Sequence, residues 1–283
     1  MKANFCYNIA MNERENTGMI NFNEIKGFIS DMDGVIYHGN KILPGVVEFI
    51  DWLKREKKEY LFLTNNSGCT RRELHQKLKR MGLDVPEEHF YTSALATAEF
   101  LKAQAPGCSV YAIGEAGLLN ALYDAGITMN DVNPDYVVVG EGKAYSLDTL
   151  TKAVNLVMNG AKLIGANSDV SGPIENGIAP ACRALVAPIE MATGKQAYFC
   201  GKPNPLMMRT GLRILNCHSA EAVMIGDRMD TDVISGMECG MSTVLVLSGI
   251  STRDTLNHYA YRPTAVLEGV GSIVAEAEAQ RAK

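Results

Sequence analysis

The sequence predicts an α/β protein in which a doubly wound parallel-sheet core is interrupted by an inserted α/β domain. Short apolar runs alternate with amphipathic helical stretches from residue 25 onward, the pattern of parallel strands joined by crossover helices. The chain has 283 residues and 47% hydrophobic content, which suits two domains of ordinary size. The span from about 94 to about 195 is too long for a crossover and has its own strand and helix pattern.

The two predicted domains divide the chain into three parts. Residues 23–93 and 196–283 would form the core, and residues 94–195 the inserted domain. Residues 1–22 are polar and aperiodic, which predicts a flexible N-terminal extension.

The predicted elements follow from periodicity and from turn residues at their ends. Short apolar runs predict strands at 25–30, 59–64, 109–113, 135–140, 162–166, 197–200, 222–226 and 243–247. Amphipathic spacing predicts helices at 45–57, 70–81, 93–103, 146–158, 205–215 and 230–238. The segment VIYHGNKI predicts a small hairpin shortly after the first strand.

Composition excludes several classes of partner and site. The net charge of −5 and the pI near 5.6 disfavour nucleic-acid polymers and anionic membranes, which need a basic surface. Seven scattered cysteines without a C-x-x-C pair suggest neither a zinc site nor a disulfide framework. No apolar stretch has the length of a signal peptide or a membrane span, so we expect a cytoplasmic protein.

Four polar clusters each follow a predicted strand. They are Asp31-Met-Asp33-Gly34, Thr64-Asn65-Asn66, Gly201-Lys202-Pro203 and Gly226-Asp227-Arg228-Met229-Asp230-Thr231-Asp232. Ligands of open parallel sheets bind beyond the carboxyl ends of strands, so these clusters could converge. Acids for a hard cation, one lysine and small hydrogen-bonding groups are what a magnesium-dependent phosphoryl-transfer site requires.

Each cluster also has a plainer interpretation when it is taken alone. Asp33-Gly34 is a common turn, Thr64 could cap a helix, and Lys202-Pro203 could be a surface loop. A calcium loop starting at Asp31 is excluded because its twelfth position is Ile42 rather than glutamate. The joint occurrence of all four clusters at strand ends favours the functional interpretation.

The order of these clusters resembles the four motifs of the haloacid dehalogenase superfamily of phosphatases. DMDGV is similar to the first motif, LTNNS to the second, GKPNP to the third and GDRMDTD to the fourth. More narrowly, TNNSG, YTSA, VNPDYVVVG, PAC and VLSGIS resemble the NagD-type subfamily. The resemblance runs from about residue 26 to about 265, and it implies that the inserted domain is a cap that closes over the site.

The resemblance also implies a role for each core residue. Asp31 would be the nucleophile that forms an aspartyl-phosphate, and Asp33 the general acid and then the base. Mg²⁺ would be held by Asp31, by the Asp33 backbone carbonyl and by Asp227. The remaining roles are charge neutralisation by Lys202, phosphate binding by Thr64, Asn65 and Asn66, and support by Asp232.

The substrate prediction rests on the resemblance and on the cap. Asn167 and Asp169 lie in a cap loop that would face a small phosphomonoester, although an Asx turn explains them equally well. Ribonucleoside 5′-monophosphates such as UMP are the expected substrates, and pyridoxal, glycerol or sugar phosphates are the alternatives. The stretch VVVGEGKAY begins like a dinucleotide fingerprint, so a non-catalytic nucleotide-binding module is a remote alternative. A homodimer formed through the cap is plausible.

Overall fold

The computed structural model describes residues 20–143, 145–174 and 177–282. Its first domain is built on a six-stranded parallel sheet in the order β15-β14-β13-β1-β4-β5. These strands are β1 (Gly27–Ser30), β4 (Glu59–Thr64), β5 (Phe90–Thr92), β13 (Ala222–Gly226), β14 (Ser242–Val246) and β15 (Ala265–Leu267). Strands from both ends of the chain therefore share one sheet, as the sequence predicts.

The second domain has its own parallel sheet of five strands in the order β12-β9-β8-β6-β7. Its strands are β6 (Ser109–Ile113), β7 (Thr128–Met129), β8 (Tyr136–Val139), β9 (Lys162–Gly165) and β12 (Tyr198–Phe199). The predicted domain boundary at 195/196 falls just before β12, although β12 pairs with β9 in this second sheet. We refer to this domain as the cap.

Two antiparallel hairpins complete the strands. They are β2 (Tyr37–His38) with β3 (Lys41–Ile42), and β10 (Ser171–Ile174) with β11 (Gly177–Pro180). The first is the hairpin that VIYHGNKI predicts, and it projects from the core directly after β1.

Nine α-helices flank the two sheets in the part of the chain that the structure describes. They are α1 (Val46–Arg55), α2 (Arg71–Arg80), α3 (Ser93–Gln104), α4 (Ala116–Asp124), α5 (Leu147–Met158), α6 (Cys182–Thr193), α7 (Pro205–Ile214), α8 (Ile234–Glu238) and α9 (Gly271–Arg281). Local signals start several of them: a capping box joins Thr70 to Glu73 before α2, and Asn204 caps α7 with Pro205 in its first turn. The region predicted as one helix at 230–238 is a π-helical turn, Met229–Val233, that leads into α8.

The core is held by aromatic packing of α1 against the central strand. Trp52 meets Phe28 edge-to-face at a centroid distance of 5.5 Å and stacks on Phe49 at 6.3 Å, and all three are buried. Each such side chain contributes about 1.5–3 kcal/mol through burial. This packing fixes β1, and with it the residues that follow β1.

The start of the described chain is tied to its end. The prediction of a flexible extension at 1–22 falls mostly outside the described residues, but Ile20 and Phe22 are buried in the core. The Phe22 N–H donates to Gln280 Oε1 at 3.1 Å, and Gln280 Nε2 donates to the Ile20 carbonyl at 2.8 Å. Residues 20–22 therefore belong to the core. Among the described helices, none combines the length and apolar character that crossing a bilayer requires.

Candidate active site

Three of the predicted clusters meet because their strands are neighbours. Strands β13, β1 and β4 lie side by side, and Asp227, Asp31 and Thr64 stand at their carboxyl ends. The backbone N–H of Asp31 donates to the Ile225 carbonyl at 2.8 Å, which continues the sheet pairing up to that aspartate. The rigid sheet edge thus positions these side chains.

Lys202 joins the cluster from the segment after β12 and is 2% exposed. Its ammonium donates to Asp31 Oδ1 at 2.6 Å, to Asp232 Oδ1 at 2.7 Å and to the Leu63 carbonyl at 3.2 Å. Burial alone would lower the pKa of Lys202, but the charges of Asp232 and Asp31 outweigh it and raise the pKa. Lys202 is therefore a fixed positive charge beside Asp31.

Asp31, Asp227 and Asp232 form a buried cluster whose ligand oxygens all lie within 4.8 Å of one another. Burial raises the pKa of Asp31, and burial together with repulsion from Asp232 and Asp31 raises the pKa of Asp227 to about 8. Burial also raises the pKa of Asp232 to about 6. One ammonium cannot balance three buried carboxylates, and an all-oxygen donor set of this kind suits a hard divalent cation.

Within this cluster, the hydrogen bonds separate metal-binding from supporting roles. Asp232 uses Oδ1 for Lys202 and Oδ2 for the Arg228 N–H at 3.1 Å. Asp227 Oδ2 accepts the Ile250 N–H at 2.7 Å. The cluster could hold a divalent cation such as Mg²⁺, and Asp31 and Asp227 are the candidate side-chain ligands.

Gly34 is required for this arrangement. Its φ of +80° lies in the left-handed region, and a Cβ at this position would be 2.5 Å from Asp227 Oδ2. A side chain here would therefore push Asp227 away from Asp31, which explains the glycine of the DMDG segment.

Asp33 faces the cleft at the base of the β2–β3 hairpin. Its side chain is 51% exposed, and Asp33 Oδ1 lies 3.7 Å from Nδ1 of His38. Burial raises the pKa of the Asp33 carboxyl, while the charges of Lys77 and His38 oppose that rise. A backbone hydrogen bond from Gly34 N–H to the Tyr37 carbonyl, 2.8 Å long, fixes the turn that carries Asp33.

The loop after β4 is held by bonds to Lys202 and to its own backbone. Asn65 Oδ1 accepts the Lys202 N–H at 2.8 Å, and Asn65 Nδ2 donates to the Lys202 carbonyl at 3.1 Å. Thr64 Oγ1 accepts the Asn66 N–H at 3.1 Å. The Asn66 side chain accepts the N–H groups of Gly68 and Cys69, so it shapes the loop.

The two cap residues predicted to face substrate differ in their surroundings. Asn167 is fully buried, and its amide donates to the Asn65 carbonyl and to Glu141 Oε1, both at 2.6 Å. Both of its amide hydrogens are therefore used by the protein, and Asn167 holds the loop after β4 in place. Asp169 points into the cleft, where its Oδ2 accepts from Asn65 Nδ2 at 3.1 Å. Its Oδ1 is buried without a hydrogen bond from the described residues and lies 3.7 Å from Arg228 Nη1.

Sequence reasoning missed several residues that join the cap to the core. Glu141 bonds to Ser67 and to Asn167, and Arg228 bridges Asp169 of the cap and Asp230 of the core. Within the core, Ser93 Oγ donates to the Asn65 carbonyl at 2.5 Å. Glu141 lies in VVVGEGKAY, just after a strand. That position is the sequence feature from which a place near the site could have been predicted. Gly140 and Glu141 there face the core loop, which leaves that stretch in the cap–core contact rather than in a dinucleotide site.

Core and cap together enclose a cleft of about 1100 Å³. The core contributes Asp31, Asp33, Thr64, Lys202 and Asp227 to its wall. The cap contributes Glu115, Glu141, Lys143, Asp169, Ser171, Gly172 and Ala179. None of the described residues in this wall carries a phenyl, phenol or indole ring.

Comparison with known proteins gives matches over most of the chain. A family model described as "Haloacid dehalogenase-like hydrolase" matches residues 28–128, and a HAD-hydrolase-like model matches residues 199–273. Dihydroxyacetone phosphatase of Corynebacterium glutamicum is 47% identical over 87% of this chain and 90% of its own.

Three further matches point the same way. Ribonucleotide monophosphatase NagD of Escherichia coli is 41% identical over 88% of this chain and 98% of its own. The solved structure of NagD from E. coli K-12 covers 87% of this chain and 97% of its own, with 41% identity and a TM-score of 0.83. An acid sugar phosphatase of Staphylococcus aureus is 38% identical over 90% of this chain and 99% of its own.

Proposed function

The chain belongs to the NagD-like branch of the haloacid dehalogenase-like hydrolases and is a phosphatase, and we propose that it hydrolyses small phosphomonoesters through a phosphorylated Asp31, with Mg²⁺ as cofactor. The observation that carries this proposal is the contact of Lys202 with Asp31 at 2.6 Å on the floor of the cleft. That contact places a fixed positive charge beside a carboxylate at a strand end, where a phosphate group could be attacked.

The first half of the reaction would use both aspartates of the DMDG segment. A carboxylate oxygen of Asp31 attacks phosphorus and the ester P–O bond breaks, while Asp33 gives its proton to the leaving oxygen. The raised pKa of Asp33 favours the protonated form that this step needs. In the second half, Asp33 takes a proton from the water that attacks phosphorus, which releases phosphate and restores Asp31.

The surrounding residues would bind and orient the phosphate. Thr64 Oγ1 and the Asn65 N–H would donate to its oxygens, and Lys202 would neutralise its charge. Asp31, the Asp33 carbonyl and Asp227 would hold Mg²⁺, which supplies Lewis-acid stabilisation of the transferring phosphoryl group when bound. Asp232 would orient Lys202, as the 2.7 Å contact between them supports.

Ribonucleoside monophosphates, UMP first, remain candidate substrates because of the likeness to NagD. A second candidate class, triose and sugar phosphates, is favoured by the cleft wall, whose described residues offer no phenyl, phenol or indole ring for a base and only one imidazole, that of His38 on the exposed β2–β3 hairpin. Tyr145, two residues after Lys143 of the cleft wall, packs in the cap core and donates its hydroxyl to the Leu185 carbonyl. Asp169 Oδ1 would instead accept a hydroxyl of a small polyol leaving group.

The test is phosphate release from UMP, other nucleoside monophosphates, dihydroxyacetone phosphate, glycerol phosphate, sugar phosphates and pyridoxal phosphate, with Mg²⁺ or EDTA. We expect metal-dependent release that Asp31→Asn abolishes. Fastest turnover of the triose or sugar phosphates would support the second candidate class, and fastest turnover of UMP would support the first. Release that is equal in the Asp31→Asn variant would overturn the mechanism. A cytoplasmic location and a homodimer stay predictions.

A further inference from the structure

The first turn of α4 and the loops after β8 and β9, all in the cap, converge on one loop of the core, residues 65–69, which follows β4. Gly117 donates its N–H to the Gly68 carbonyl at 2.9 Å. A Cβ on Gly117 would lie 2.6 Å from the carbonyl oxygens of Ser67 and Cys69, so only glycine permits this approach. Glu141 and Asn167 supply the other two contacts. The cap is thus docked on the loop that would bind phosphate.

Glu141 makes the densest set of bonds at this junction. Its Oε2 accepts the N–H of Ser67 at 2.8 Å and also the Ser67 hydroxyl, and its Oε1 accepts Asn167 Nδ2 at 2.6 Å. Its own N–H donates to Ser67 Oγ at 2.9 Å. Because Ser67 and Asn167 are both fully buried, each would lose a hydrogen bond without replacement by bulk water if Glu141 were changed.

These bonds continue to the nucleophile. Asn167 donates to the Asn65 carbonyl at 2.6 Å, Asn65 Oδ1 accepts the Lys202 N–H at 2.8 Å, and the Lys202 ammonium contacts Asp31. Every link in this path is a direct hydrogen bond. Asn65 is therefore held on two sides, through its side chain by Lys202 and through its carbonyl by Asn167 of the cap, and these two attachments fix the residue that carries the N–H.

The position of Glu141 is electrostatically unfavourable for a site that receives an anion. Its carboxylate lies in the wall of the same cleft, where it would repel phosphate. It stands outside the Asp31, Asp227 and Asp232 cluster, and protein donors occupy both of its oxygens. Because Glu141 would repel phosphate and does not belong to the metal-binding cluster, its role must lie elsewhere. Its hydrogen bonds indicate that this role is to hold the cap against residues 65–69.

We propose that Glu141 is a positioning residue for the phosphatase reaction: it locks the cap onto residues 65–69 and so aims the Asn65 N–H at the phosphate. This inference rests on the proposed function, because it assigns Asn65 to phosphate binding. Glu141 acts on the phosphate end of the substrate, so its effect is the same for every leaving group.

The test compares wild type, Glu141→Gln and Glu115→Gln. The Ser67 N–H and Asn167 Nδ2 are both donors. In either orientation of its amide, a glutamine would point its NH₂ group at one of them, so one hydrogen bond is lost. Glu115 is the matched control, since it lines the same cleft but its Oε1 accepts the Lys143 N–H within the cap, at 2.6 Å. The readouts are kcat and KM on 4-nitrophenyl phosphate and dihydroxyacetone phosphate, and competitive inhibition by orthovanadate, a mimic of the transferring phosphoryl group.

We expect kcat of Glu141→Gln to fall about 10- to 100-fold on both substrates, the range that a small misplacement of reacting groups produces. Vanadate inhibition should weaken by at least tenfold, and Glu115→Gln should match wild type. Ser67→Ala removes two bonds to Glu141, the one from the Ser67 hydroxyl to Oε2 and the one from the Glu141 N–H to Ser67 Oγ. Because the two residues contact each other, the loss in Ser67→Ala/Glu141→Gln should be smaller than the product of the two single losses.

Two results would overturn the inference. One is a Glu141→Gln variant that matches Glu115→Gln in kcat and vanadate inhibition, even if its melting temperature falls. The other is a Glu141→Gln defect on only one leaving group, which would make Glu141 a specificity residue. An inactive wild type would overturn the proposed function as well, so the two failures are distinguishable.

Discussion

Replacing Lys202 by methionine should destabilise the fold as well as stop catalysis. Lys202 is buried between Asp31 at 2.6 Å and Asp232 at 2.7 Å, and at an effective dielectric constant of about 20 each contact carries about 6 kcal/mol of Coulomb attraction. The loss of hydration on burying these groups offsets most of that attraction. Methionine removes the cation and leaves two buried carboxylates facing each other, which costs about 3–5 kcal/mol.

The assay is urea unfolding at neutral pH in EDTA, followed by circular dichroism, with phosphate release measured on the same preparations. Lys202→Met/Asp232→Asn should regain part of the lost stability and none of the activity, because only one of the two facing charges remains. Lys152→Met is the matched control, since Lys152 pairs with Asp131 at the exposed surface of the cap. If Lys202→Met unfolds at the same urea concentration as wild type, Lys202 does not hold this carboxylate cluster together.

Three further predictions concern other parts of the molecule. Asp33→Asn should lower kcat by about 10²- to 10⁴-fold and leave the melting temperature unchanged, because it removes the proposed acid and base but no core contact. An unchanged kcat would remove Asp33 from the mechanism. Mg²⁺ should raise the melting temperature of wild type by relieving repulsion among the buried carboxylates, and Asp227→Asn should abolish that rise in differential scanning calorimetry. Arg281 holds the pKa of Glu56 at about 2, below its ordinary 4.5, so this pair stabilises the fold above pH 4.5 and the stabilisation is lost as the pH falls toward 2. Glu56→Gln should therefore lower the melting temperature at pH 7, and a difference from wild type that persists undiminished at low pH would contradict the assignment.

The core residues of the site could be predicted because each of them lies in a short, recognisable stretch of sequence. Asp31, Thr64 and Asp227 each follow an apolar strand, and strand ends in a parallel sheet share one edge. All eight predicted strand positions contain a strand in the structure, including β1, β4 and β13. The sheet order that makes these three strands neighbours is seen only in the structure.

The other features of the structure depend on packing between segments that are distant in sequence, and no local sequence pattern predicts such packing. Helices α4, α6 and α9 were not among the predicted helices; α6 contains Pro188, and α9 is rich in alanine and weakly amphipathic. Strand β12 has two residues, and its membership of the cap sheet is decided by pairing with β9. The polar cap loop predicts that Asn167 contacts substrate, but its amide donates to the Asn65 carbonyl and to Glu141. The bond to Asn65 joins the cap to the core, so it cannot be predicted from the cap loop alone.

The most direct test of the central claim is mass spectrometry of the protein quenched with acid during turnover of dihydroxyacetone phosphate with Mg²⁺. We predict that Asp31 carries the added mass of one phosphoryl group in wild type, and that Asp31→Asn carries none. Sustained turnover with no phosphoryl group on Asp31 at any time point would show that water attacks the substrate directly, and it would contradict the assignment of Asp31 as the nucleophile.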